Sequence, residues 1–217
     1  MSETTLRLDR PLKMVTICLG QMQTNCYIVE NTKTNQAFVF DPGDQGERIM
    51  NTLEEDGMEL AGVCLTHGHF DHILAANEVK EKYGAKLYAC QEEEGMLMNP
   101  QLSLTSYKDA NYVVKADVLL TDLEIFEEAG FRIQAIHTPG HTKGSCCYYI
   151  ADENVLMSGD MLFYESVGRS DLPTGSTAQI VQSLHKLLKA LPDETDVFPG
   201  HDCQTTIGHE KRYNPFV

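Results

Sequence analysis

The sequence has no long apolar run, no Cys-x-x-Cys pair and no Asn-x-Ser/Thr sequon. The first absence excludes a membrane-spanning helix, which needs about 20 consecutive apolar residues. Met1 to Pro11 is polar, without an apolar stretch of secretory type. The seven cysteines, Cys18, Cys26, Cys64, Cys90, Cys146, Cys147 and Cys203, are odd in number and scattered. They read as reduced thiols of a cytoplasmic protein rather than as a disulfide framework. Basic residues are also scarce: 17 Lys and Arg against 32 Asp and Glu give a net charge of −15. A chain so acidic is repelled by phosphate backbones, so neither nucleic acid nor membrane is expected as a partner. No glycine-rich phosphate loop follows a strand.

What is present fits a globular protein. Apolar residues make up 42% and charged residues 23% of the 217 positions, enough for a sizeable core in one domain spanning 1–217. The patterning predicts strands at 14–19, 26–30, 37–40, 60–66, 86–89, 123–126, 131–135, 146–150, 155–157 and 195–198. Thr24-Asn25 reads as a break between the first two. Helices are expected after Asp44, over 73–83, over 91–97 and, most clearly, over 176–191. There Ile180, Val181, Leu184, Leu187, Leu188 and Leu191 form one stripe, with Ser176 or Thr177 as cap and Pro192 as stop. Residues 100–110 read as a surface loop. Strands in groups with helices between them predict an α+β fold of two packed sheets covered by helices.

The chemistry concentrates in His67-Gly68-His69-Phe70-Asp71-His72, directly after a predicted buried strand. Imidazole and carboxylate suit zinc, iron or manganese. Gly68 is expected to let the chain turn tightly. His67 and His69 can reach one ion, while Asp71 and His72 point elsewhere as the chain bends, which suits two ions. His141, Asp160 and His201 each follow a later strand, so rigid elements would hold them.

These runs, with His137-Thr138-Pro139-Gly140-His141-Thr142, Gly159-Asp160 and Gly200-His201, resemble the metallo-β-lactamase superfamily from about Met14 to His201. The resemblance implies a four-layer αβ/βα sandwich. It implies that His67, His69 and His141 bind one metal, that Asp71, His72 and His201 bind a second, and that Asp160 bridges them. Within the superfamily, Gly168-Arg169-Ser170-Asp171-Leu172-Pro173 and the tail through Asn214-Pro215 look like the glyoxalase II group, the hydroxyacylglutathione hydrolases. Only 16 residues follow His201, too few for that group's helical domain, and Cys203 replaces its aromatic residue.

The expected activity is therefore hydrolysis of an acyl-thioester such as lactoylglutathione, with a metal-bridging hydroxide as nucleophile and Asp71 orienting it and carrying its proton. The cofactors are two divalent ions, zinc first, with iron or manganese compatible. The partner is a small-molecule substrate; oligomeric state is not legible. Arg169, Lys143 and Cys203 are candidate substrate contacts, Arg169 competing with a simple pairing to Asp171. Thr138 or a backbone donor is expected to orient an imidazole. The alternative is a single-iron persulfide dioxygenase of the same superfamily, which shares the ligand run. A non-catalytic module that keeps the fold is a third reading. A β-lactamase role needs export. His137, His185, His209, Asp41, Asp44 and the Cys146-Cys147 pair read as structural or solvated.

Overall fold

The computed structural model describes residues 3–7 and 11–217. Part of the polar stretch Met1 to Pro11 lies outside them. Its described portion supplies an edge strand that the sequence reading missed.

One sheet runs in the order β1 (Glu3–Arg7), β2 (Leu12–Leu19), β3 (Thr24–Asn31), β4 (Gln36–Phe40), β5 (Glu59–Cys64), β6 (Lys86–Cys90) and β7 (Val118–Leu120). It is antiparallel from β1 to β4 and parallel from β4 to β7. The second sheet contains β8 (Ile125–Glu128), β9 (Phe131–His137), β10 (Cys146–Ile150), β11 (Val155–Gly159), β14 (Asp196–Pro199) and β15 (Thr205–Thr206), in spatial order β15-β14-β11-β10-β9-β8. A small ribbon pairs β12 (Leu162–Phe163) with β13 (Ser166–Val167).

Period-two alternation explains the layering. In β2, Leu12 and Met14 face the core between the sheets, where they meet Phe131, Ile133 and Tyr148. Val15 and Ile17 face outwards, against Ile49 and Leu53 of α1 (Gly46–Glu55) and Val79 of α3 (Ala76–Tyr83). In β10, Cys146 lies in the central core and Cys147 in the outer one, on opposite faces as strand geometry requires. The outer core is covered by Leu184, Leu187 and Leu188 of α5 (Thr177–Ala190). The Ser176 hydroxyl caps that helix by accepting from Gln179 N–H at 3.4 Å, an interaction worth about 1 kcal/mol. The result is the expected four-layer αβ/βα sandwich.

Several boundaries differ from expectation for identifiable reasons. The helix expected over 73–83 is two pieces, α2 (Phe70–Ile73) and α3, because Ala75 N–H donates to Pro42 C=O at 2.9 Å. The segment 91–97 begins as a tight 3-10 turn, Gln91–Glu93, before α4 (Glu94–Leu97), and this turn carries Glu93 inwards. The strand expected from Leu123 starts at Ile125, since Leu123 adopts φ 63°. Thr24 and Asn25 are not a break: they open β3 and are buried.

The dimensions that matter for function are set at one end of the sandwich. β5, β9, β11 and β14 all finish there, and the segments following them carry every predicted metal ligand.

Candidate metal centre

The seven side chains predicted as ligands come together. His67 and His69 leave β5, and Asp71 and His72 lie on α2. His141 sits in the β9–β10 loop, Asp160 follows β11 and His201 follows β14. Donor atoms of His67, His69 and His141 lie within 4.8 Å of one another, as do those of Asp71, His72 and His201. Asp160 stands between the trios, 3.5 Å from His141 Nε2 and His201 Nε2 and 3.4 Å from His72 Nε2. His67, His69, His72 and His141 are buried, whereas the Asp71 and His201 side chains keep 13% and 21% exposure, so the centre opens on their side.

The hydrogen bonds around the rings assign the tautomers. His141 Nδ1 donates to Arg169 C=O at 2.7 Å. The Thr66 hydroxyl donates to Asp41 at 2.6 Å and so accepts from His67 Nδ1 at 3.1 Å. His67 Nε2 and His141 Nε2 therefore carry bare lone pairs, and they face each other at 3.2 Å. His69 Nδ1 approaches His141 Nε2 at 2.8 Å. Lone pairs so close repel unless a cation lies among them. In the other trio, His72 Nδ1 donates to Asp41 Oδ2 at 2.9 Å. Its Nε2, like Asp160 Oδ1, is buried without a hydrogen-bond partner. Unpaired buried polar atoms are costly, and these point at one another. The donor set fits divalent metal ions.

Electrostatics divides the trios in the same way. Burial, then the neighbouring imidazoles, lower His67 well below the usual histidine range and take His69 to about 3. Both rings are therefore neutral, the form a metal ion would need. Burial opposes ionisation of Asp160, but His72, His141 and His201 hold it at about 2. Asp71 is likewise lowered against its burial by His72 and His201. His72 is raised, against burial, by Asp160, Asp71 and Asp41. The second trio draws positive charge to its centre, as a proton or as a metal ion.

Two glycines permit this crowding. A Cβ on Gly200 would stand 2.3 Å from Asp160 Oδ1 and 2.7 Å from His72 Cε1. One on Gly168 would stand 1.8 Å from Asp160 C=O. Gly68 behaves differently from expectation. It does not adopt positive φ; its N–H donates to Glu93 at 2.8 Å.

The supporting residues were mostly missed. Asp41, read as structural, orients His72 and also accepts from Thr66 N–H at 2.8 Å. It does so at φ 50°, a conformation aspartate tolerates better than most residues. Glu93 is fully inside and accepts from Gly68 N–H, the Thr142 hydroxyl and Gly144 N–H at 2.8–2.9 Å. It thereby ties the His67–His69 turn to the loop of His141. Burial pushes its carboxyl up to about 7 against those three bonds. The Thr24 hydroxyl donates to Asp71 at 3.0 Å. Asn25 Nδ2 donates to Pro199 and Asp202 C=O at 3.1 and 3.0 Å, fixing the His201 turn. Thr138 orients no imidazole; it bonds Ser145 C=O and Cys147.

The candidate substrate residues are exposed. Arg169 forms two bonds to Asp171, at 2.7 and 2.8 Å. Lys143 projects next to Thr142. Cys203 lines a groove of about 430 Å³ with Tyr27, Phe198 and Asp202. A cleft of about 80 Å³ adjoins Asp71, bounded by Met22, Phe70 and Lys108. The tail serves the fold: Glu210 of α6 (Ile207–Tyr213) is buried and accepts from Thr205, Glu165 N–H and Asn214.

The metallo-beta-lactamase superfamily model matches residues 19–201, and the chain belongs to that superfamily. The metallo-hydrolase relatives support an enzyme, and the fold implies divalent metal ions. It is 34% identical to the probable metallo-hydrolase YqgX of Bacillus subtilis, over 92% of this chain and 94% of that one. It is 33% identical to the hydroxyacylglutathione hydrolase GloC of Haemophilus influenzae, over 90% and 93%. Among solved structures, the BLEG-1 B3 metallo-beta-lactamase superposes with a TM-score of 0.87 at 38% identity, covering 93% of this chain and 97% of that one. TTHA1623 in a di-iron-bound form gives 0.81 at 32% identity, covering 93% and 99%. No helix among the described residues is long and apolar enough to cross a membrane.

Proposed function

We propose that the protein is a binuclear metal-dependent hydrolase that cleaves acyl-thioesters of the lactoylglutathione kind. The observation that carries the reading is the pair of donor trios joined by Asp160. His67, His69 and His141 would hold one ion, Asp71, His72 and His201 the other, with Asp160 between them. Zinc suits the nitrogen-rich trio, while iron or manganese also suits the one with a carboxylate. When bound, such a pair activates water at neutral pH and stabilises a developing oxyanion.

The chain's own residues do the rest. Asp71, fixed by Thr24, stands at the open edge, where its carboxylate would orient the attacking water and carry its proton away. A thiolate leaves without help from a strong acid, and none is required of this site. Arg169, Lys143 and Cys203 form the substrate-facing rim. Arg169 exchanges Asp171 for a substrate carboxylate, so Arg169→Ala raises KM several-fold for anionic thioesters and leaves metal content unchanged. The similarity to GloC and the Gly168–Pro173 run support the thioester. Free cysteines throughout support a reducing, cytoplasmic setting.

The test is elemental analysis of protein from its native host, combined with a thioester panel that includes thiols other than glutathione. Two ions per chain with thiol release are expected. Two ions with turnover of another bond class alone, including the β-lactam suggested by the likeness to BLEG-1, would overturn the reading. One iron with oxygen uptake on a persulfide would replace it by the dioxygenase alternative.

A further inference from the structure

A second convergence of metal-donor atoms lies apart from the seven-residue centre. Cys90 ends β6, Glu92 lies in the 3-10 turn directly after it, and His137 ends β9 in the opposite sheet. The sulfur, a carboxylate oxygen and a ring nitrogen lie within 4.8 Å of one another. Cys90 is buried; Glu92 and His137 are half-buried. Cys90 Sγ donates to Glu92 Oε2 at 2.9 Å. His137 Nε2 donates to Lys143 C=O at 2.9 Å, outside the trio. That bond leaves Nδ1 as the lone pair. An imidazole with one N–H tied to a backbone carbonyl and the other nitrogen bare is the usual state of a metal-ligating histidine. Sulfur, imidazole and carboxylate together suit zinc, with water completing a tetrahedron on the open side. Magnesium and calcium prefer all-oxygen sets.

We propose that Cys90, Glu92 and His137 form a third cation site, selective for a thiophilic divalent ion such as zinc and independent of the two-metal centre. Binding replaces the S–H···O bond by sulfur–metal and oxygen–metal bonds, and the thiol proton leaves to solvent. Affinity therefore rises with pH, one proton being released per ion. The site would join the ends of β6 and β9. Glu92 also adjoins Glu93, which holds the His67–His69 turn and the His141 loop. A bound ion there braces the seam between the sheets from outside the catalytic centre.

Cobalt(II) reports this site separately, because the seven-residue centre contains no sulfur. Titrating the full-length protein with cobalt(II) is expected to fill the main centre and, with a third equivalent, to produce a near-ultraviolet thiolate-to-cobalt charge-transfer band that zinc(II) abolishes by competition. Cys90→Ser should remove the band and Cys203→Ser should leave it. Glu92→Gln and His137→Asn should weaken the third equivalent at least about tenfold. If Cys90→Ser fails to fold, these two variants, checked by circular dichroism, carry the test. No band at saturating cobalt(II), a band that survives Cys90→Ser, or an unchanged third affinity in both Glu92→Gln and His137→Asn would overturn the proposal.

Discussion

The two trios of the metal centre are built from similar residues but differ in kind. His67, His69 and His141 are buried, neutral and tied to Thr66 and to the Arg169 carbonyl. Asp71, His72 and His201 form an ion-pair cluster that is partly open at Asp71 and His201, with His72 tied to Asp41 and Asp71 to Thr24. The first is a rigid nitrogen cage whose lone pairs demand a cation. The second is an ion-pair cluster in which a proton can stand in for a metal. If each trio holds an ion as proposed, the asymmetry would let the site keep one and present the other to substrate.

The comparison breaks most completely at Asp160, whose carboxylate lies within 3.5 Å of imidazoles of both trios. Asp160→Ala should empty both and lower kcat/KM by about 10³-fold or more, read by elemental analysis beside the thioester assay. Retention of two ions would show that the trios are self-sufficient. Next come His141→Ala and His201→Ala. Each should remove about one ion per chain, the first from the buried trio and the second from the open one. Anomalous scattering at the zinc edge distinguishes the two vacancies.

Asp41→Asn keeps a residue that tolerates φ 50° but disturbs the acceptor shared by His72 and Thr66. It should weaken the open-trio ion about 10–100-fold and the buried one less, because Asp41 touches His72 directly but reaches His67 only through Thr66, measured by competition with a chelator. The smallest effect is at Glu93, behind the buried trio. Its folded pKa of about 7 lies above the ordinary glutamate value of 4.5. Between those values the folded chain holds a proton that the unfolded chain has lost. Stability from this group is therefore present below about 4.5 and fades as pH rises to 7, by on the order of 3 kcal/mol. Glu93→Gln should cost more stability at pH 5 than at pH 8 in paired urea unfolding. A larger cost at pH 8 would mean that the three donors, not burial, govern the carboxyl.

All seven convergent residues were legible because each lies in a short polar run just after an apolar strand, where chain direction alone aims side chains at a common end. The sheets were legible from alternation and from continuous apolar runs. The supports were not. Asp41, Glu93, Thr24 and Asn25 are ordinary polar residues whose partners lie 25 to 177 positions away, and no local pattern records such distances. The Arg169 carbonyl was invisible for a simpler reason: sequence names the side chain, while the group that orients His141 is backbone. Short elements such as β7 and β15 carry too few residues for any period to show.

Each trio draws two donors from the segment after β5 and one from a segment that follows a strand of the other sheet, so an ion held by each, as proposed, would rivet the halves of the sandwich together. At a free concentration one hundred times its Kd, each adds about 2.7 kcal/mol to the folded form. Melting temperature should thus act as an ion gauge, and a chelator would loosen the layers before it unravels them.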